Sequence, residues 1–240
     1  MGGAINGHDI SPFDKGLVAC ACEDGTVGLF SVPLEGLQLG EQLSTPAALL
    51  EGHEKRVLAV AWHPHVSGVL ASHDGSKTVK VWDASASREA FSTAPLGGLC
   101  TSLDFDGATA VVFGKDHALS LFDIRAGPAA VATQAHVHEG TKGGRATMLG
   151  GRVNRILCTG FAKSNAREAK LFDGRNLAKP LFAKEIDNSS SSSPYVSFDE
   201  DLSIVYVWGK GDGNIRVYEA TENALIEATV CFPFFPLPPF

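Results

Sequence analysis

Side chains that could do chemistry are present in this chain, but they do not stand at the spacing that a known enzyme site needs. The 240 residues contain no Gly-x-Ser-x-Gly motif, no His-Glu-x-x-His motif and no pair of carboxylates placed for acid–base catalysis. The run 209–213, GKGDG, has the composition of a phosphate-binding loop. It precedes a predicted strand rather than a helix and lacks a following Lys-Ser/Thr pair, so we interpret it as a glycine-rich hairpin. We expect no enzymatic activity and no cofactor.

Metal and disulfide chemistry are also disfavoured. The cysteines are odd in number and form no Cys-x-x-Cys pair. They are Cys20, Cys22, Cys100, Cys158 and Cys231. We interpret them as small apolar core residues rather than as metal ligands. His136 and His138 stand near Glu139, but the further ligands that a metal ion requires are missing from this stretch.

Composition excludes several other classes of protein. Hydrophobic residues make up 44% of the chain and charged residues 20%, which suits a globular domain with a sizeable core. The net charge of −7 argues against general nucleic-acid binding. No run of 18 apolar residues and no signal segment occur, so we expect no membrane insertion and a cytoplasmic location.

The rest of the chain is organised around residues 51–83, EGHEKRVLAVAWHPHVSGVLASHDGSKTVKVWD. Alternating bulky and small residues predict strands at 56–62, 69–72 and 78–82, separated by turn residues. The pair Gly52-His53 opens this unit and Trp82-Asp83 closes it. The pattern resembles the GH…WD signature of a WD-repeat propeller blade.

The WD resemblance implies a polar network inside the blade. In such repeats the histidine, a hydroxyl on the second strand, a turn carboxylate and the tryptophan N–H satisfy one another. Here these groups would be His53, Ser72, Asp74 and Trp82. The usual acid position, six residues before the tryptophan, holds Ser76, and we expect Asp74 to compensate. Because a buried imidazole and indole N–H each need a partner, we expect a structural role for the four residues rather than a catalytic one.

Degenerate repeats of this unit occur before and after it in the chain. Five repeat cores each end in an aromatic residue, at intervals near the blade period of roughly 40–45 residues with loop insertions. These residues are Phe30, Trp82, Phe122, Phe172 and Tyr218. We predict an all-β fold, an incomplete WD-repeat β-propeller of about five blades. Residues 1–10 are expected to be a short irregular N-terminus, 11–230 the partial propeller, and 231–240 a Pro/Phe-rich tail.

The fifth repeat, IVYVWGKGDGNIRVYE at 204–219, resembles a segment of the actin-binding coronins, IVY-x-x-GKGD-x-x-IR-x-[FY]-E. Other stretches follow in coronin order: LEGH at 50–53, AHVHEG at 135–140 and TGF at 159–161. The similarity covers about residues 11–230. TQAH at 133–136 and TVKVWD at 78–83 lean toward the long, tandem-propeller coronins.

The resemblance implies seven blades, and seven units at roughly 40–45 residues each need about 300 residues or more. The chain is therefore expected to be a fragment without the family's first blade, which carries an actin-binding arginine, and without its last stretch. The family's coiled coil and acidic tail are likewise expected to be absent from such a fragment. No actin-binding residue can be transferred by matching.

The resemblance implies a non-enzymatic module that binds actin filaments, with the actin-nucleating Arp complex as a further partner, in the cytoplasm and its cytoskeleton. Exposed basic residues would have to carry this activity, because the filament is acidic. The candidates are Lys55, Arg56, Lys210 and Arg216. The alternative is a general WD-repeat adaptor in vesicle (Golgi) trafficking or ubiquitin ligation, which the fold alone cannot separate from the first interpretation.

Overall fold

Alternating apolar residues and tight turns give this chain a succession of short antiparallel strands. The structure is a computed structural model that describes residues 3–37, 43–150, 154–188 and 192–233, with side chains to 228. Within these residues twenty strands form five four-stranded sheets, and in each sheet the strands lie side by side in chain order. This is the architecture of five blades of a WD-repeat propeller, as the repeat pattern predicted.

The first sheet contains β1 (Ile5–Ile10), β2 (Leu17–Cys22), β3 (Val27–Ser31) and β4 (Ala48–Leu50). The second contains β5 (Val57–Trp62), β6 (Val69–Asp74), β7 (Val79–Asp83) and β8 (Arg88–Ser92). The third contains β9 (Cys100–Asp106), β10 (Thr109–Gly114), β11 (Leu119–Asp123) and β12 (Ala132–Gln134). The fourth contains β13 (Arg145–Leu149), β14 (Arg155–Phe161), β15 (Arg167–Asp173) and β16 (Phe182–Asp187). The fifth contains β17 (Tyr195–Asp199), β18 (Ile204–Trp208), β19 (Asn214–Ala220) and β20 (Leu225–Pro233).

The prediction of an irregular N-terminus at 1–10 is wrong for Ile5–Ile10. These residues form β1, which pairs with β2 from Ile5↔Cys22 to Ile10↔Val18. The Asp9 carboxylate also accepts a hydrogen bond from the Trp62 backbone N–H at 2.7 Å. Pairing with a buried neighbour therefore orders a strand whose own residues are mostly exposed, and exposed residues give little apolar alternation to read.

The C-terminal boundary also differs from the prediction. β20 continues past residue 230 to Pro233, because its backbone pairs with β19 at Ile215↔Phe232 and Asn214↔Pro233. A proline is tolerated there because it ends a strand at the edge of a sheet. The remainder of the predicted tail, 234–240, lies outside the described residues.

The chain divides into two compact units, the first made of 1–116 and 120–132 and the second of 117–119 and 133–240. In the first unit, apolar side chains of the first and second sheets form one core cluster around Trp82, and those of the second and third form another around Phe122. In the second unit, the fourth and fifth sheets bury a cluster around Leu171 and Tyr218. Successive sheets therefore pack face to face within each unit. Among the described residues there is no helix with the length and apolar character needed to cross a membrane.

Candidate functional site

The second sheet brings together the four polar residues singled out by the GH…WD spacing. β6 and β7 pair in register and carry Ser72 and Trp82 on one face. The Trp82 indole N–H donates a hydrogen bond to Ser72 Oγ at 2.8 Å, and His53 Nε2 lies 2.6 Å from the same oxygen. The side chain of His53 is fully buried and Trp82 is 1% exposed. A single hydroxyl therefore satisfies both the indole and the imidazole away from water.

Asp74, the last residue of β6, completes this network. One of its carboxylate oxygens lies 3.2 Å from His53 Nδ1. The other accepts hydrogen bonds from the Ser76 N–H at 3.0 Å and the Thr78 N–H at 3.1 Å, and the Ser76 hydroxyl donates at 2.6 Å. Burial alone would raise the pKa of Asp74, but these hydrogen bonds and His53 outweigh it and lower the pKa. Ser76 therefore occupies the usual acid position and donates hydrogen bonds to Asp74, the carboxylate two residues before it.

The 3.2 Å contact with Asp74 favours one tautomer of His53. A neutral imidazole with Nδ1–H toward the carboxylate leaves Nε2 free to accept a hydrogen bond from the Ser72 hydroxyl. Burial lowers the pKa of His53, although Asp74 opposes that effect. With neither His53 nor Asp74 reachable from solvent, this Ser–His–Asp set offers no surface to a substrate.

The backbone conformation and the space at position 52 explain why the GH pair begins with glycine. Gly52 has φ +149°, a conformation that L side chains rarely adopt. A Cβ at this position would also lie 3.3 Å from the Trp82 ring. The backbone therefore passes close to the tryptophan that closes the repeat, and a larger residue would separate them.

The buried histidines predict a loss of stability in mild acid. Burial lowers the pKa of His73 in β6 from 6.5 to about 4, helped by His53 and opposed by Asp74. Above pH 6.5 this residue is neutral in both states and costs nothing. As the pH falls below 6.5, His73 binds a proton in the unfolded chain but stays neutral in the folded chain. The free energy of unfolding therefore falls progressively down to about pH 4. At pH 5 this loss is about 2 kcal/mol from His73.

Urea unfolding at pH 7 and pH 5 checks this prediction. His73→Leu should unfold with a smaller difference between the two pH values than the parent chain, whatever its absolute stability. The control is His65→Leu, since His65 is an exposed residue. An unchanged pH dependence in the His73 variant would contradict the prediction.

A second buried network lies in the second unit, and sequence reasoning missed it. Arg167, the first residue of β15, is 1% exposed, and its guanidinium donates to both carboxylate oxygens of Asp212 at 2.6 and 2.8 Å. It also lies 3.6 Å from Asp187 and donates to the Ser192 carbonyl. Hydrogen bonds from Arg167 lower the pKa of Asp212 and hold it ionised. This charge pair joins the fourth sheet to the fifth.

The network explains the GKGD run that suggested a phosphate loop. A Cβ on Gly209 would collide with the Arg167 guanidinium and the Ser192 hydroxyl. Glycine therefore makes room for the buried arginine, and Asp212 in the same turn binds it. The run is a hairpin between β18 and β19, as predicted, and its aspartate binds a guanidinium of the neighbouring sheet.

A third polar cluster connects His138 with the fourth sheet. His138 Nδ1 lies 2.8 Å from Glu168, and Lys170 lies 2.8 Å from the same carboxylate oxygen. Burial lowers the pKa of His138, while Glu168 opposes that effect. His136 and Glu139 do not join these contacts. In the described part of the chain no group of three or more His, Cys, Asp or Glu side chains could hold a metal ion.

The candidate actin-binding residues differ in how available their charges are. Lys55 is exposed, and Arg56 is 60% exposed with Glu23 at a distant 3.9 Å. In the second unit, Lys210 is exposed at the tip of the β18–β19 hairpin. Arg216 is bound to Asp187 at 2.8 Å and only 22% exposed, so its charge is largely committed within the protein.

Comparison with known proteins agrees with this architecture. The family model "WD domain, G-beta repeat" matches residues 44–83. Human Coronin-2A is 31% identical over 221 residues, which cover 89% of this chain and 41% of that protein. Human Coronin-7 is 31% identical over 225 residues, covering 91% of this chain and 23% of that protein. The crystal structure of the WD40 domain from Toxoplasma gondii coronin superimposes with a TM-score of 0.87 at 33% identity, covering 94% of this chain and 58% of that one.

The chain is related to the coronins. It spans less than half the length of the curated coronins named above. Coronin-2A and the much longer Coronin-7 match at the same identity, so identity does not separate the two kinds of coronin. The coronin segment at 204–219 lies on β18, the GKGD hairpin and β19. Its Gly209 and Asp212 belong to the buried Arg167 network, and its Lys210 faces solvent.

Proposed function

We propose that this coronin relative is a non-enzymatic module that binds actin filaments and serves the organisation of the actin cytoskeleton in the cytoplasm. The observation that carries the proposal is the coronin similarity over about nine-tenths of the chain, together with a coronin-like fold at a TM-score of 0.87. The names of those relatives identify them as coronins, and actin binding enters here as the activity that the coronin resemblance implies.

The buried polar networks support binding rather than catalysis. The histidine, hydroxyl and carboxylate that could in principle form a catalytic set, His53, Ser72 and Asp74, have no access to solvent. We propose that they hold the second sheet together, and that Arg167 and Asp212 do the same for the fourth and fifth. The exposed loops between strands are then the parts free to meet a partner.

Electrostatics limits where filaments can bind. The chain has a net charge of −7 and the filament is acidic, so long-range repulsion must be overcome by local positive patches. Lys55 with Arg56 in the first unit, and Lys210 in the second, are the exposed candidates. Arg216 is a weaker candidate because Asp187 already neutralises it.

Filament co-sedimentation with charge reversals tests the proposal. Lys55→Glu/Arg56→Glu and Lys210→Glu should each weaken pelleting about three- to tenfold, and more salt should weaken the parent chain. The matched control is Lys179→Glu, an exposed lysine in the β15–β16 loop, which should pellet like the parent. The same assay with the purified Arp complex tests the second partner.

The outcomes separate the proposal from the adaptor alternative. Parent protein that stays in the supernatant at low salt, while filaments pellet, would contradict filament binding and favour a WD-repeat adaptor. Strong pelleting that neither reversal nor salt alters would contradict the basic-patch explanation.

A further inference from the structure

A ladder of stacked side chains lies at one edge of the second unit and has no part in the networks above. The guanidinium carbon of Arg145 lies 4.2 Å from the centre of the Tyr195 ring. Tyr195 in turn stacks on Trp208, with ring centres 6.0 Å apart and planes inclined by 16°. Tyr195 is 39% exposed, and Arg145 and Trp208 are partly exposed. We call these three residues the stacked ladder.

The fold brings the three residues together from separate strands. Arg145 is the first residue of β13, and Tyr195 is the first residue of β17 and pairs with Trp208 at the end of β18. The adjoining loops are tied together here, because Ser193 Oγ donates to the Gly143 carbonyl and Ser192 Oγ donates to the Lys210 carbonyl at 3.4 Å. The ladder and Lys210 therefore lie at the same end of these strands.

The charges at this end are unevenly distributed. Two carboxylates at this end are already bound, Asp212 by Arg167 and Asp187 by Arg167 and Arg216. In the described residues Arg145 makes no ion pair, and its Nε is buried without a hydrogen-bond partner. Lys210 is exposed at the hairpin tip. The result is a surface with two uncompensated cations on a chain whose net charge is −7.

The composition of this surface is that of a protein-binding hot spot. Tryptophan, tyrosine and arginine carry most of the energy at protein interfaces, because they combine apolar area with directed polar groups. A guanidinium stacked on a ring is held in place, while the N–H donors in its plane remain able to grip a carboxylate with two bonds. Stacking therefore prepares Arg145 for an acidic ligand at a reduced cost in side-chain entropy.

We propose that the stacked ladder, with Lys210 beside it, is a docking site for an acidic, extended peptide segment of a protein partner. A carboxylate of the peptide binds Arg145, a second meets Lys210, and an apolar side chain covers Tyr195 and Trp208. A peptide is favoured over an anionic bilayer because the hairpin tip beside the rings carries glycine, lysine and aspartate rather than protruding apolar side chains. This site shares Lys210 with the proposed filament contacts, but its test uses no actin, so either proposal can fail without the other.

The test uses a short synthetic peptide of glutamates around a central leucine, labelled with fluorescein and followed by fluorescence anisotropy. The matched probe has glutamine in place of every glutamate. We expect the acidic peptide to bind, with an affinity that falls as salt rises, and the glutamine peptide to bind at least about tenfold more weakly. Binding should also alter tryptophan emission, because Trp62 and Trp82 are buried and Trp208 is the partly exposed member of the three.

Variants locate the peptide on the ladder. Arg145→Gln and Trp208→Ala should each weaken binding at least about tenfold, and Arg145→Lys should restore part of the loss because it returns the charge but not the planar fork. Lys179→Gln is the control, since its loop follows the Asp173 end of β15, opposite the Thr159↔Arg145 end of the sheet. Circular dichroism of each variant checks that it is folded, and Arg145→Gln supplies the comparison if Trp208→Ala is not.

Three results would overturn the proposal. The first is equal affinity for the acidic and glutamine peptides, or no binding of the acidic peptide at low salt up to millimolar concentration. The second is binding by folded Arg145→Gln with the parent's affinity. The third is occupation of the ladder by something else: vesicles of phosphatidylserine that bind when the peptide does not, or a second copy of the chain, seen as self-association that Arg145→Gln abolishes.

Discussion

Asp212→Asn should lower the free energy of unfolding by about 3 kcal/mol, the largest loss expected from a change of one charge in this chain. The substitution leaves the Arg167 guanidinium, 1% exposed, without the carboxylate that accepts two of its hydrogen bonds. Asp187 at 3.6 Å is too far away to replace those bonds. Urea unfolding followed by circular dichroism measures the loss, and tryptophan emission reports the second unit through Trp208.

Asp201→Asn is the matched control, because Asp201 is an exposed aspartate in the turn between β17 and β18 and its change should stay within about 0.5 kcal/mol. The Asp212 effect should persist at high salt, since buried pairs are screened much less than exposed ones. A variant that unfolds at the parent's urea concentration would show that the Arg167–Asp212 pair does not stabilise the fold.

Trp82→Ala should cost about 3–5 kcal/mol, because it removes a fully buried ring and leaves a cavity between the first two sheets. It also leaves Ser72 without one of its two partners. His53→Ala removes less apolar volume, so its expected cost is about 1–3 kcal/mol, from an unsatisfied Ser72 and a buried Asp74 that loses a neighbour. The measurement is urea unfolding at pH 7.

Two comparisons make this prediction sharper. Trp82→Phe retains most of the ring and loses the N–H, so its cost should lie between those of the parent and the alanine variant. His53→Ala combined with Ser72→Ala should cost less than the sum of the two single changes, because both partners of one hydrogen bond are then absent. Strict additivity, or a His53 variant as stable as the parent, would contradict a connected network.

Much of the fold could be predicted from the sequence, and the failures have a common cause. The inner strands are better buried: β6 is buried at every residue after its first, and in β18 two buried valines alternate with half-buried residues. The edge strand β1 is mostly exposed and β16 has no fully buried residue, so their order comes from pairing with one neighbour rather than from their own apolar pattern. The repeat pattern also begins with a strand that belongs to the preceding sheet, since β4 leads into the GH pair yet pairs with β3.

Some of the candidate sites could be predicted from the sequence and others could not. The His53–Trp82 network could be found because its members stand at fixed positions within one repeat. Arg167 and Asp212 lie 45 residues apart in different repeats. No local sequence pattern around either residue predicts that the two form a pair. The GKGD run stands out in the sequence, but its structural role follows from the Arg167 guanidinium that packs against Gly209, and the sequence does not show that contact. The stacked ladder likewise collects single residues from three strands, which no spacing rule brings together.

Hydrogen–deuterium exchange of the chain, alone and with actin filaments, tests filament binding most directly because it requires no substitution. The proposed function predicts slower exchange in the loop that carries Lys55 and Arg56 or in the hairpin 209–213, with no change in the buried strands β6 and β15. Exchange that filaments leave unaltered along the whole chain, at a concentration that pellets a known filament-binding protein, would contradict the proposed function.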